Sequence, residues 1–518
     1  MAREKPIDPV AGVQDAAPLP SDPAITLFSA LPAVHAGRGA GQQTGSGDGS
    51  IAPKFWLLLV TVSLGGVLAP LNSTMLAVAL PELRRDFGVG YSEIAWLVSA
   101  YLIAMAVAQP LGGRLGDQLG RARVFRAGLI LFLGFSLAAA VSPGYISLII
   151  FRTGQALVGA AVIPNGFAML RESLPLNRLG RSGGLTGAAM STAAAIGPLL
   201  GAGLLLLGSW RLLFLMNVPL VASALFALNL LDYSSSRVRE RVSLDWVGAG
   251  TFAGVLVLLT VLLNALRGEA GAVISLATAI AFPLLLLAFI LQQFSAATPI
   301  SEWRLFRIRS YSAATGYILL SNLVMYTTIL ALPFFVEEVQ GKGSFTTGTL
   351  LGAVSVPVAL VAPIGGRLSD EVGRRPPIVA GGLLVLAGVT ALLFGISSDA
   401  PFLFLAPVLF LMGIGLGLSV GPASAAAIES TPTELAGTAA GTNSMMRYVG
   451  SIIGAGVLGS VLKTDGAAPG VDLFRLIFAV LFVVSILAAL CSLLIHRFYR
   501  SHEETLPMRP AQSLARAE

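Results

Sequence analysis

Two short stretches of the sequence carry the same reactive side chains. GGRLGDQLGR at 112–121 recurs as GGRLSDEVGR at 365–374, so Asp117 and Asp370 stand 253 positions apart. Each acid is followed four residues later by an arginine, Arg121 or Arg374. Gly113, Gly120, Gly366 and Gly373 permit a sharp turn with close backbone approach. An acid in such a turn pairs with nearby arginines, Arg123 among them, or faces a helix N-terminus, where negative charge is favoured. A contact of that kind that forms in one conformation and breaks in another is a gate latch. The plainer reading is a surface turn that signals topology, and the identical repetition favours the latch.

A second group of polar residues interrupts apolar runs. Arg152 and Arg447 stand inside such runs, and a buried arginine in a membrane is expensive enough that it usually faces a cavity and has a partner. Arg152 is either part of a transport path or a structural arginine bonded to backbone and to Asn72 and Gln155. Arg447 has the same two readings, and it can also snorkel toward the membrane edge. Asn322 and Tyr326 either line a central cavity or bond a neighbouring helix. Glu93, Asp245, Glu337, Glu338 and Glu429 all fall near expected helix ends, which leaves no acid in mid-span. Pro198 removes a helix hydrogen bond and Gly197 leaves backbone open to a neighbour, so this pair marks a kink or a close helix contact.

Other chemistries lack their residues. The single Cys491 lies in the last apolar run and has no intrachain partner, and His35, His496 and His502 sit in tails or at a run's edge. No metal cluster, nucleophile–base pair or nucleotide-binding P-loop is present, so the reading is a non-enzyme with no metal and no cofactor. The net charge of +6 suggests nucleic acid, but the basic residues are spread over short loops without interleaved aromatics. Nucleic acid is therefore excluded as a partner.

The elements that must position these residues are membrane helices. The chain is 55% hydrophobic and 12% charged, about half the charge of an average soluble protein. Fourteen apolar runs are expected, at 55–80, 91–112, 124–142, 146–170, 184–207, 211–231, 246–266, 271–293, 311–336, 346–365, 377–397, 401–425, 436–461 and 473–496. Runs of ~18 or more apolar residues cross the hydrocarbon as helices. The least apolar are those after Gly183 and Ala436, where small residues are frequent. Five alternate loops hold sixteen arginines against seven basic residues on the other side, so the richer side, with both termini, is expected in the cytoplasm.

The repeat joins a second run to a third in two blocks of six, which implies two related halves with an inserted pair between them. The fold class is all-α, with 14 membrane helices. The divisions are a cytoplasmic tail at 1–53, a first bundle at 54–232, two linker helices with their loops at 233–309, a second bundle at 310–497 and a tail at 498–518.

With these residues in view, the chain resembles the major facilitator superfamily over roughly residues 54–497. GGRLGDQLGRARVF looks like that family's motif A. RTGQALVGAAVIP, from Arg152 to Pro164, is similar to motif B, with Ala156 and Val158 where glycine is usual. IGPLLGAG, with Gly197, Pro198 and Gly201, looks like the antiporter motif C, although Ala202 replaces its second glycine. The stretch GSWRLLFLMNVPL fits the family's connection between helices five and six, and reads as a folding element rather than a ligand site. The extra pair, SLDWVGAG and LPFFVEEVQG resemble the fourteen-helix drug:proton antiporters, the DHA2 group. One position departs: Asn72 stands where that group carries an acid in LNSTMLAVALP, and asparagine carries no proton at physiological pH.

The resemblance implies a secondary transporter in the cell inner membrane that exports drugs or toxic metabolites by proton antiport. Its expected partners are lipid, a small organic substrate, protons and a periplasmic adaptor. Asn72 keeps a second expectation open, a facilitator or importer of a metabolite or vitamin that lacks the helix-one proton carrier. A membrane sensor on the same fold is the remaining alternative.

Overall fold

The structure is a computed structural model that describes residues 51–173, 176–231, 244–265, 272–296, 299–300, 302–432, 435–462 and 469–496. The tails expected at 1–53 and 498–518 lie outside these residues, save that the first helix begins at Ile51. Of the loop basic residues counted for orientation, Arg237, Arg239, Arg241, Arg267 and Lys463 lie outside them too.

Among the described residues there is helix and no strand, as lipid requires of a chain with apolar runs this long. The first six spans are α1 (Ile51–Phe87), α2 (Tyr91–Leu119), α3 (Arg121–Ala140), α4 (Tyr145–Ser173), α5 (Leu176–Leu206), and a broken sixth made of α6 (Arg211–Leu215) and α7 (Asn217–Leu230). The break has a local cause. Pro219 has no N–H to give the carbonyl of Leu215, and the helix restarts at Asn217. The inserted pair is α8 (Trp246–Ala265) and α9 (Ala272–Ser295). The last six are α10 (Arg309–Phe334), α11 (Ser344–Val372), α12 (Arg375–Gly395), α13 (Phe402–Glu429), α14 (Ala436–Val461) and α15 (Val471–Leu493).

Thirteen spans among the described residues are long and apolar enough to cross a bilayer. The fourteenth, α14, is long enough at 26 residues but is rich in Gly and also carries Ser, Thr, Asn443 and Arg447. Protein covers its polar groups: Thr442, Asn443 and Ser451 are all buried, on a helix that packs against α2, α8 and α10. The outside of the molecule is the reverse. Val273 is 81% exposed and Leu403 82%, which suits acyl chains and not water.

The two halves repeat each other's packing. The first helix of each lies on its fifth (α1 on α5, α10 on α14), the second on its fourth (α2 on α4, α11 on α13), and the third on its fourth and sixth. The halves meet along two main seams, α5 with α11 and α2 with α14. α8 leans on α2 and α14, covering that second seam. Asp245 fastens the inserted pair, accepting from the Gly248 N–H (2.7 Å), Gln292 Nε2 (2.8 Å) and Gln293 Nε2 (2.9 Å).

Small residues make the close seams possible. A Cβ at Gly201 would stand 2.9 Å from the Met75 carbonyl oxygen of α1. One at Gly348 would stand 2.4 Å from Ala202 Cβ and 2.9 Å from the Pro198 carbonyl oxygen, across the seam between the halves. Gly197 is tighter still, against Thr74. The Gly197–Ala202 stretch thus packs on α1 with one face and on α11 with another. Gly348→Leu and Gly201→Leu should therefore abolish a monodisperse peak in fluorescence-detected size exclusion. Gly366→Leu, where a side chain meets nothing within 4 Å, should leave that peak intact.

Candidate functional site

Inside the first half, five side chains close a polar network in an otherwise apolar core. Asn72 of α1 and Asn217, the first residue of α7, exchange two amide hydrogen bonds: Asn72 Nδ2 donates to Asn217 Oδ1 (2.6 Å) and Asn217 Nδ2 to Asn72 Oδ1 (2.9 Å). Asn72 Nδ2 also donates to the Leu68 carbonyl (2.8 Å). Ser136 Oγ of α3 accepts from Asn217 (2.7 Å) and Gln155 (3.1 Å), and donates to the Phe214 carbonyl (2.9 Å). Arg152 of α4 donates to Gln155 Oε1 (2.6 Å) and, at 3.3 Å, to the Asn72 carbonyl. Its guanidinium lies 4.0 Å from the Tyr101 ring centroid and 5.8 Å from that of Phe214. Asn72, Ser136, Arg152, Gln155 and Asn217 are all buried.

The structure thus brings Asn72, Arg152 and Gln155 together, and adds Ser136, Tyr101 and Asn217, which sequence reasoning had not placed in a site. Asn217 had a signal, an amide beside the helix-breaking Pro219. Ser136 and Tyr101 had none that separates them from other small or aromatic residues in apolar runs.

The second half contributes less bonding. Tyr326 of α10 meets Ser73 of α1 hydroxyl to hydroxyl at 2.7 Å, a contact across the halves. Asn322 is buried and turns its amide to the Ile318 carbonyl of its own helix (2.9 Å). Arg447 is exposed, although it lies in the interior of α14. The acids expected near helix ends stand there: Glu93 in the first turn of α2, Asp245 ahead of α8, Glu429 at the end of α13, and Glu337 and Glu338 in a π-turn (Phe335–Val339) that closes α10.

That π-turn carries a feature the sequence did not reveal. Widened turns of this type re-aim side chains, and here two acids meet the end of α1. Glu338 Oε1 accepts from Arg84 Nη2 (2.8 Å) and Nε (3.1 Å), and Glu337 Oε2 from Arg85 Nη2 (2.8 Å). Tyr91 donates to the other oxygen of Glu338, and Arg84 lies over the Tyr91 ring at 4.3 Å. Two ion pairs therefore tie the halves together at this end of the bundle.

The repeated turns lie at the other end, the chain having crossed twice before the first and ten times before the second. Gly120 and Gly373 adopt φ of +95° and +93°, a region that favours glycine. The close helix approach falls one residue before Gly113 and Gly366: a Cβ at Gly112 would stand 2.5 Å from Ala161 Cα, and one at Gly365 2.7 Å from the Leu418 carbonyl oxygen. Each turn holds an ionic triad within its own half. Arg121 pairs with Asp117 (2.6 Å) and with Glu172 at the end of α4 (2.6 Å). Arg374 pairs with Asp370 (2.5 Å) and with Glu429 at the end of α13 (2.9 Å from Nε). The Glu429 carboxylate, with Asp370 beside it, holds the Arg374 guanidinium above its ordinary pKa. Arg123 is exposed and stands outside the triad.

Comparison with known proteins settles the family. The sequence profile described as Major Facilitator Superfamily matches residues 62–455. The chain belongs to the Major Facilitator Superfamily. This superfamily member is 31% identical over 440 residues to the uncharacterized MFS-type transporter YvkA of Bacillus subtilis (strain 168), covering 85% of this chain and 96% of YvkA. It is 31% identical over 411 residues to the multidrug resistance protein Stp of Mycobacterium tuberculosis (strain ATCC 25618 / H37Rv), covering 78% and 75% of the two chains. The crystal structure of a D-xylose–proton symporter superposes with a TM-score of 0.61 at 15% identity, covering 85% of this chain and 98% of that one, and shows the same fold.

Two predictions follow from this geometry. Asn72→Leu and Asn217→Leu each leave a buried amide unpaired, so each should lower Tm in detergent, by about 1–3 kcal/mol of stability. The double variant should fall short of the sum by about 1 kcal/mol. At the far end, with Cys491→Ser as background, nitroxides at Gly90→Cys and Gly343→Cys report the distance between the joined ends. Glu338→Gln should broaden and lengthen that distribution in a double electron–electron resonance measurement, and the swap Arg84→Glu with Glu338→Arg should restore it.

Proposed function

We propose that this transporter exports amphipathic drugs or toxic metabolites from the cytoplasm across the inner membrane, as a fourteen-helix drug antiporter of the DHA2 type. The observation that carries the reading is the Gly197–Ala202 stretch of α5, packed on α1 and, through Gly348, on α11. A helix fitted this closely to both halves seals one side of a central path while the other side opens. Relatives named for multidrug resistance, at 27–31% identity, support the same reading.

In this account the bundles at 54–232 and 310–497 rock about the polar network, with 233–309 as the linker. The repeated turns face the cytoplasm and act as latches there. Arg84–Glu338 and Arg85–Glu337 close the periplasmic side in the state described. Arg152, Gln155, Tyr326 and Arg447 line the path.

Asn72 bears on coupling. It spends both amide protons on Leu68 and Asn217, and no acid stands in mid-span among the described residues. This favours a second reading in which transport runs down the substrate's own gradient rather than against protons.

A deletion strain should become sensitive to several dyes or antibiotics on a broad compound panel; a nutrient requirement instead would establish uptake. In proteoliposomes, the second reading expects wild-type transport to respond little to an imposed pH gradient and Asn72→Asp to strengthen that response severalfold, whereas antiport expects the wild type itself to respond. Full proton coupling in the wild type would remove the lost-acid account.

A further inference from the structure

The charge balance at the centre of the bundle identifies what the site is built to receive. Arg152 is 2% exposed, and each of its polar contacts is neutral: the Gln155 amide oxygen, the Asn72 carbonyl and the Tyr101 ring. Its Nε has no partner, and neither does the buried hydroxyl of Tyr101, whose ring stacks against it. Dipoles and a ring face offset only part of what a cation loses on leaving water; a counter-charge offsets far more. The nearest place for an acid on α1 is filled by Asn72, locked to Asn217 through both its amide atoms.

Arg447 is the second such cation. It stands in the interior of α14, is exposed, and has no acid partner among the described residues. It shares a helix face with Gly450 and Gly454, whose Cβ atoms would strike Leu319 and Thr327 of α10, and α10 carries the half-buried Tyr326 whose hydroxyl bonds Ser73 across the halves. An exposed guanidinium on the face turned to α10 borders the interior of the bundle rather than the lipid face. Each half thus contributes one cation without an acid partner among the described residues, Arg152 against α1 and Arg447 on the face turned to α10, and α1 and α10 meet at Ser73–Tyr326.

We infer that this site takes an amphipathic organic anion, an aromatic carboxylate or sulfonate, whose charged group is held between Arg152 of the first half and Arg447 of the second. The inference rests on the transport reading above and adds the substrate class to it. Planar guanidinium groups donate paired hydrogen bonds to carboxylate and sulfonate oxygens, and the aromatic side chains of Tyr101, Tyr326 and Phe214 suit a ring. An anion bridging the two halves would also supply the counter-charge that the network lacks.

The test uses the full chain in nanodiscs, with salicylate and benzenesulfonate as anionic probes, salicylamide as the neutral match and ethidium as the cation. At least one of the anions should raise the melting temperature, and salicylamide should not. Arg447→Gln should weaken anion binding about tenfold or more, and Arg447→Lys should retain part of it. Arg447 is exposed, so these variants test the site even if Arg152→Gln fails to fold. Asn72→Asp, which places a counter-charge beside Arg152, should also weaken it. The inference is overturned if neither anion stabilises the protein, or if Arg447→Gln binds anions as tightly as the wild type. Accumulation of labelled salicylate and ethidium in cells separates the two readings. Ethidium export without anion binding leaves export standing and removes the anion site. Anion binding together with raised salicylate accumulation keeps the site and removes export.

Discussion

Lipid offers no hydrogen-bond partner and no counter-ion, so each polar group carried into this bundle has to be met by another from the protein. The Asn72–Asn217 pair shows how far that requirement reaches. Two amides face each other with donors and acceptors matched, Ser136 takes the next donor, and Gln155 links Ser136 to Arg152. The positions of four helices are thereby fixed relative to one another: α1, α3, α4 and α7. The break in the sixth span belongs to the same solution. Without the stop before Asn217, a continuous helix would carry the amide along a different line.

The halves share a packing plan but differ in how they hold charge. Each arginine-rich turn is satisfied within its own half by a carboxylate one helical turn away and by a second at the end of that half's fourth helix. The links between halves are placed elsewhere, at Arg84–Glu338, Arg85–Glu337, Ser73–Tyr326 and the glycine contacts of α5 with α11. Internal bonding at one end combined with cross-bonding at the other makes each half stiff and concentrates relative movement at the seams, as a pair of rigid bodies requires.

Much of this plan was legible in the sequence because it rests on local rules. Hydropathy located the spans, and the repeat around Asp117 and Asp370 exposed the duplication. Glycine chemistry explained Gly120 and Gly373. What stayed hidden depends on neighbours distant in the chain. Glu172 lies more than fifty residues from Asp117 and is an ordinary end-of-helix acid until α4 folds beside α2. Glu337 and Glu338 read as a polar edge of α10, and only the π-turn and the approach of α1 turn them into partners of Arg85 and Arg84. α14 is the opposite case. Its composition is too polar for a lipid-facing helix, and its placement follows from the protein surface that covers it.

The inserted pair leaves the two seams unequal. α8 lies over the line where α2 meets α14, and α9 stands outside it with its apolar side chains turned outward. Among the described residues no helix covers the line where α5 meets α11 in the same way. Acyl chains can therefore border one seam directly and are held off the other by a two-helix shield. The two seams thus sit in different surroundings: among the described residues, lipid packing and thickness act directly on the glycine contacts of one, and reach the other only through a layer of protein.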